Sequence, residues 1–258
     1  MLHLFGDESF FDTAVTYAVV VVPAERQREI EDAFGYVKEC FGASRDARVH
    51  CREIFAGHQR RKSAWAHLSR ANLYELMTMT GNYLRLSGVK FRVGLIDTRK
   101  AGERFSAWDT VSAYPAGPKQ LVVFAHLMAV AEIEKYPGGD EVRLWKDPDS
   151  TMIEWGNRRI KAGTVPVNLL SGRQLIGEPI VGDKPPLIDV ADMLSYATSH
   201  AFCATELPDR ASFGQAFDAF LPVISRMDFH PQLFEGSAYD QNAVSEWLAK
   251  GLHPYPHS

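Results

Sequence analysis

The first hundred residues change from strand-like to helix-like patterning and back. Leu2 to Phe5 and Ala14 to Val22 are apolar runs bounded by turn formers, Gly6-Asp7-Glu8-Ser9 and Asp12-Thr13. They predict two strands, near 2–7 and 13–22, paired antiparallel. Val19-Val20-Val21-Val22 is continuous rather than alternating, as expected of a strand covered on both faces. Pro23 suits a first helical turn and opens a helix that runs to about Phe41 and ends at Gly42. The segment His50 to Phe55 fits no single element. Between Ser63 and Leu86, Trp65, Leu68, Leu76, Met79, Tyr83 and Leu86 recur at helical spacing, with Gly81 as a soft spot. Val89 to Ile96 alternates like a third strand and stops at Asp97.

The second half continues the alternation. Residues 98–117 read as loop. Pro118 to Tyr136 is a strongly apolar helix with a core stripe at Leu121, Phe124, Ala125 and Met128, closed by Pro137-Gly138-Gly139. Glu141 to Trp145 predicts a strand lying beside the first one. A helix at Thr151 to Lys161, a strand at Val165 to Leu170 and a Gly/Pro-rich loop to Pro186 follow. Leu187 to Phe202, Ser212 to Ser225 and Asn242 to Leu252 then read as helices. Strands first and alternation afterwards predict an α/β fold, a mixed central sheet flanked by helices. One domain over 1–258 is expected, with its core at about 2–204 and a helical extension at 205–258.

Composition narrows the class. With 46% apolar, 11% aromatic and 23% charged residues, the chain is that of a soluble globular protein and not a disordered one. Twenty-eight Lys and Arg against 32 Asp and Glu give a net charge of −4, which disfavours an architectural nucleic-acid binder. An enzyme holding nucleic acid against a local basic face stays compatible with it. Three distant cysteines, Cys40, Cys51 and Cys203, make a disulfide framework or a zinc knuckle unexpected. A reducing, cytoplasmic setting fits them. The N-terminal stretch has no basic leader, and the run Tyr17 to Pro23 is too short to span a bilayer.

Acidic residues fall at element ends. Asp7 and Glu8 follow the first strand, Asp147 and Asp149 follow the strand at 141–145, and Asp189 and Asp192 lie near the start of an apolar helix. On that helix Asp189, Asp192 and Tyr196 fall within about 60° of one another. Brought together, such carboxylates form an all-oxygen site for Mg²⁺ or Mn²⁺, of the kind that activates water for phosphodiester cleavage. Taken singly, each has a plainer reading: a hairpin turn at 6–9, a turn and cap at 147–149, a helix cap at Asp189. His50 and Glu53 invite a metal or acid–base reading, against that of a partly exposed His with an ordinary hydrogen bond. Arg60-Arg61-Lys62 with Trp65, and Arg158-Arg159-Ile160-Lys161, could contact phosphates beside an aromatic ring, or be solvated helix faces. His253 and His257 belong to the tail.

Four segments together carry a family resemblance: Asp7-Glu8-Ser9, Val49-His50-Cys51-Arg52-Glu53, Asp147, and Ala191-Asp192-Met193-Leu194-Ser195-Tyr196. Over about Leu2 to Phe202 the chain resembles the widespread bacterial domain-of-unknown-function family 3800, whose fold is considered ribonuclease H-like. The resemblance implies a metal-dependent nuclease. Asp7, Glu8, Asp147 and Asp192 would be its catalytic, metal-binding carboxylates, and Lys184 and His50 its substrate contacts, while Asp189 either adds a metal ligand or marks a diverged site. The substrate would be DNA or RNA. Two positions depart from the family pattern: Phe10 stands where Gly is usual, and Asp189 where Gln is usual.

Two other classes compete. Asp147-Pro148-Asp149-Ser150-Thr151 fits the Asp-x-Asp-x-Thr signature of Asp-based phosphatases of the haloacid dehalogenase type, which leaves Asp7 unexplained. A non-catalytic ribonuclease H-like scaffold is favoured if the carboxylates are splayed apart or closed by a Lys or Arg salt bridge.

Overall fold

The computed structural model describes residues 1–98, 118–130, 133, 136–139, 142–146, 185–206, 211–227 and 229–233. These form a five-stranded mixed sheet with helices on both faces. The hairpin of β1 (Leu2–Phe11) and β2 (Ala14–Pro23) is its centre. Strand β1 is longer than the sequence suggests. Asp7-Glu8-Ser9 lies inside it, and the turn is Asp12-Thr13 alone, between the paired Phe11 and Ala14. Asp12 takes φ 49°, a left-handed conformation that Asp tolerates better than most residues. Phe10 therefore sits in a strand, opposite Val15, where no turn requires Gly.

Strand β3 (Lys90–Asp97) pairs antiparallel with β2, and β4 (Val142–Lys146) pairs parallel with β1 on its free side. The expected neighbourhood of β1 and the strand near 141–146 is thus present, with Leu2 opposite Val142 and Gly6 opposite Lys146. The order is completed by β5 (Phe229–Leu233), parallel to β3 at the far edge. Sequence patterning missed β5, whose Phe-His-Pro-Gln-Leu has no two-residue period and holds a Pro, a residue sheets confine largely to edge strands.

Strand alternation splits the core in two. Phe5, Ala18, Val20, Val22, Phe91 and Val93 face α1 (Gln27–Cys40), α2 (Cys51–Phe55), α4 (Arg70–Leu86), α6 (Pro186–Glu206) and α7 (Ala211–Arg226). Leu2, Leu4, Val15, Tyr17, Val19 and Val21 face α5 (Pro118–Val130). Helix α5 comes so close to β3 that a Cβ on Gly94 would lie 1.9 Å from the Ala125 carbonyl oxygen. No larger residue fits there.

Three helix boundaries differ from the sequence reading. A 3-10 turn, Ala24–Arg26, precedes α1. The stretch from Ser63 does not start a helix: α3 (Gly57–Arg60) ends before it, and α4 begins at Arg70 under a capping box. There Ser69 Oγ accepts from the Asn72 amide at 3.2 Å, and Asn72 Oδ1 accepts from the Ser69 amide at 3.3 Å. Helix α6 runs from Pro186, so Asp189 lies within its first turn and does not cap it. Among the described residues no helix is long and apolar enough to cross a membrane. The segments expected at 151–161, 165–170 and 242–252 lie outside the described residues, as do Asp147, Asp149, Lys184, the basic run at 158–161, His253 and His257.

Candidate functional site

The candidate site lies where β1, the start of α6 and the segment leading into α2 meet. Helix α6 lies along the hairpin on the face of Phe5. Its Ser195 carbonyl accepts from Thr16 Oγ1 at 3.0 Å, Ser199 Oγ lies 3.2 Å from Ser9 Oγ, and Cys203 Sγ donates to the Phe11 carbonyl. Asp7 belongs to this face, opposite Ala18, and is buried. One of its carboxylate oxygens accepts from the Glu8 amide at 3.0 Å.

Glu8 points the other way. Adjacent strand residues alternate in face, and Glu8 stands in register with Tyr17 beneath α5. The Tyr17 ring is wholly buried over Gly6, where a Cβ would come within 2.4 Å of its hydroxyl oxygen. Burial first, then the charges of Glu8 and Asp7, push the Tyr17 hydroxyl far above the usual phenol range. His126 of α5, also wholly buried, meets that ring edge-on with centroids 4.8 Å apart. The sequence reading passed over His126, which lies next to the stripe residue Ala125. The only signal was a lone imidazole in a helix otherwise rich in Leu, Val and Ala.

The two helix carboxylates reach the loop before α2. Asp189 makes an ion pair with Arg48 through one oxygen, and its other oxygen accepts from the Val49 amide at 2.9 Å. Asp192 Oδ2 accepts from the Cys51 amide at 2.6 Å, at the open N-terminus of α2. Both are nearly inaccessible to solvent. The same loop is tied from its other side. Buried Lys38 donates to the Arg45 and Ala47 carbonyls, each at 2.9 Å, and Trp65 Nε1 donates to the Arg48 carbonyl at 2.7 Å. Burial lowers the Lys38 ammonium below its ordinary value, and the Asp189 charge opposes that shift.

Cys51 marks the meeting point. Its thiol is fully buried and pushed well above the ordinary thiol range, first by desolvation, then by Asp192, Asp189 and Asp7. Of the three carboxylates, Asp192 is bonded directly to this residue, through the Cys51 amide. Among the described residues, no group of three or more His, Cys, Asp and Glu side chains is placed to hold a metal ion. Strand β4 ends at Lys146, in register with Gly6, the residue before Asp7; the next in sequence is Asp147, outside the described residues.

Other candidates fall around this corner. His50 caps α2 and is exposed, its Nδ1 3.2 Å from Glu53 Oε1. Trp65 is wholly buried, in keeping with its place among the apolar positions and not with the alternative of a stacking ring, and its Nε1 donates to the Arg48 carbonyl. Tyr196, four residues after Asp192, stacks on Phe55 at 5.2 Å and on His200 at 3.9 Å, and His200 stacks on Phe11 at 3.5 Å. Arg48 was not legible as a site residue, because its partner Asp189 lies 141 residues away. Comparison with protein-family models, curated proteins and solved structures finds no match to this chain.

Proposed function

We propose that the chain is a divalent-metal-dependent phosphodiesterase acting on nucleic acid, built on a ribonuclease H-like sheet. The observation that carries the reading is that Asp7 of β1 lies buried on the sheet face that α6 covers, while Asp192 of α6 reaches the Cys51 amide at the same corner. It is supported by the parallel β4, which ends level with Gly6. The resemblance to domain-of-unknown-function family 3800 supplies the class of reaction.

The donor set available at the corner is hard carboxylate oxygen, which fits Mg²⁺ or Mn²⁺ and not a thiolate-seeking ion. In this reading Asp7 and Asp192 are the described ligands and Asp147 completes them. A bound cation supplies charge neutralisation and a water of lowered pKa. Asp189 is left out of the ligand set, since both its oxygens already accept hydrogen bonds from the 48–49 segment. It fixes the loop that carries His50. Exposed His50, whose Nδ1 lies 3.2 Å from Glu53 Oε1, would contact a phosphate oxygen. Glu8 acts through the opposite face and does not touch substrate.

The test is incubation of the purified protein with single- and double-stranded DNA and RNA in Mg²⁺ or Mn²⁺. EDTA-sensitive cleavage is expected, reduced about a hundredfold or more in Asp7→Asn and Asp192→Asn, since even groups beyond the metal ligands cost ten- to a hundredfold. One observation favours a second reading, a non-catalytic binding scaffold: Arg48 closes one carboxylate of the cluster by an ion pair. Absence of cleavage of all four substrates under both metals establishes that reading instead. A phosphatase centred on Asp147 and Asp149 would hydrolyse a generic phosphomonoester, with loss in Asp147→Asn and none in Asp7→Asn.

A further inference from the structure

We infer that the surface formed by residues 48–70 is a docking face for single-stranded nucleic acid, feeding the strand into the carboxylate corner. The inference rests on the phosphodiester reading for the class of polyanion. Its own basis is a local reversal of charge. Between 48 and 70 the chain has six Lys or Arg and one Glu, within a protein of net charge −4. Arg52, Arg61, Lys62 and Arg70 are exposed, and none has a carboxylate partner among the described residues. Exposed like charges without a counter-charge in the fold raise the local concentration of an external polyanion.

The segment is fixed to the corner and not loosely appended. Asp189 and Asp192 accept from the amides of Val49 and Cys51, and Arg60 Nη1 donates to the Ile54 carbonyl at 3.2 Å, holding α3 against α2. Rings accompany the charges. Phe55 and Tyr74 are half-buried, and the Arg70 guanidinium lies 5.9 Å from each ring centroid while its Nε donates to the Tyr74 hydroxyl at 3.0 Å. A duplex keeps its bases stacked on one another. A single strand can lay a base against such rings and guanidinium while its phosphates meet the basic side chains.

Fluorescence anisotropy in EDTA separates binding from cleavage. The probes are a short labelled oligothymidylate, its duplex with oligoadenylate, and phosphatidylserine vesicles. The single strand is expected to bind several-fold tighter than the duplex, with affinity falling steeply with salt. The double variant Arg61→Ala/Lys62→Ala should bind about tenfold more weakly and flatten the log–log salt dependence by about 1.4, at roughly 0.7 for each phosphate of a single strand that is no longer neutralised. Phe55→Leu, which keeps an apolar side chain in place, should weaken the single strand and leave the duplex unchanged. Arg85→Ala, at the exposed end of α4, should change nothing. Equal affinity for duplex and single strand, wild-type binding by Arg61→Ala/Lys62→Ala, or binding of the vesicles alone overturns the inference. Binding as described without cleavage in metal would sink the phosphodiesterase and leave the docking face standing. Cleavage by a protein whose binding ignores Arg61 and Lys62 would do the reverse.

Discussion

His200 shows how packing around one side chain sets a charge state that sequence cannot. Its ring lies between Phe11 and Tyr196, with centroids 3.5 and 3.9 Å away, and Nδ1 is 2.8 Å from the Tyr196 carbonyl oxygen. Desolvation outweighs that hydrogen bond and lowers its pKa from 6.5 to about 4. Its folded pKa lies below its unfolded one, so the unfolded chain binds the extra proton between about pH 4 and 6.5. The stabilisation is complete above pH 6.5 and is lost as pH falls through that window, about 2 kcal/mol of it by pH 5. Urea unfolding of the wild type and His200→Phe at pH 7.5 and 5 checks this. The wild type should lose about 2 kcal/mol more than the variant on acidification, and equal losses would refute it. Elsewhere at this scale the sequence was partly legible. It grouped Asp7, Glu8, Asp147 and Asp192 as the carboxylates of one site with His50 beside them, but strand alternation sends Asp7 and Glu8 to opposite faces of the sheet. That error came from reading 6–9 as a turn, when the pairing of Phe11 with Ala14 leaves only two residues for one.

Among the elements, the short α2 depends on its neighbours more than on its own five residues. A helix of that length closes too few internal hydrogen bonds to persist by itself. Its approach is pinned by Lys38 and Trp65 on one side and by Asp189 and Asp192 on the other. Lys38→Met keeps the apolar stem and leaves the Arg45 and Ala47 carbonyls without their donor. That should cost about 2–6 kcal/mol, at roughly 1–3 kcal/mol for each buried acceptor left unsatisfied. Amide hydrogen exchange should then quicken at Ala47 to Ile54 well before the rest of the sheet. A loss below about 1 kcal/mol in urea unfolding, with unchanged exchange, would show that the loop holds without Lys38. Long periodic elements such as β2, β3 and α6 were readable because burial imposes a regular pattern on them. Residues 43–60 carry no such pattern. Their order comes from Lys38, Trp65 and the two α6 carboxylates, and the ties to α6, 140 and 141 residues away, leave no local trace.

For the whole molecule, the proposed ligands come from β1 and α6 and, in sequence, from just beyond β4. Any ion they share would bind only the assembled fold. Binding to the folded state alone raises stability by about 2.7 kcal/mol when the ion is at a hundred times its dissociation constant. For a chain of this size that amounts to roughly 5–10 °C in melting temperature. Mn²⁺ should therefore raise the wild-type melting temperature, and EDTA should reverse it. The variants separate ligand from clamp. Asp192→Asn keeps an oxygen that can accept from the Cys51 amide, and without the cation it relieves repulsion among Asp7, Asp189 and Asp192. Its metal-free melting temperature should be close to or above that of the wild type, and its Mn²⁺ shift should be lost. Asp189→Asn gives up the charge facing Arg48 while retaining an acceptor for the Val49 amide. It should melt lower without metal and keep the full Mn²⁺ shift. If Asp192→Asn keeps that shift and melts several degrees lower in EDTA, Asp192 serves only to cap α2. If Asp189→Asn alone loses the shift, the ion lies against the loop at 48–51 and the assignment of ligand and clamp is reversed.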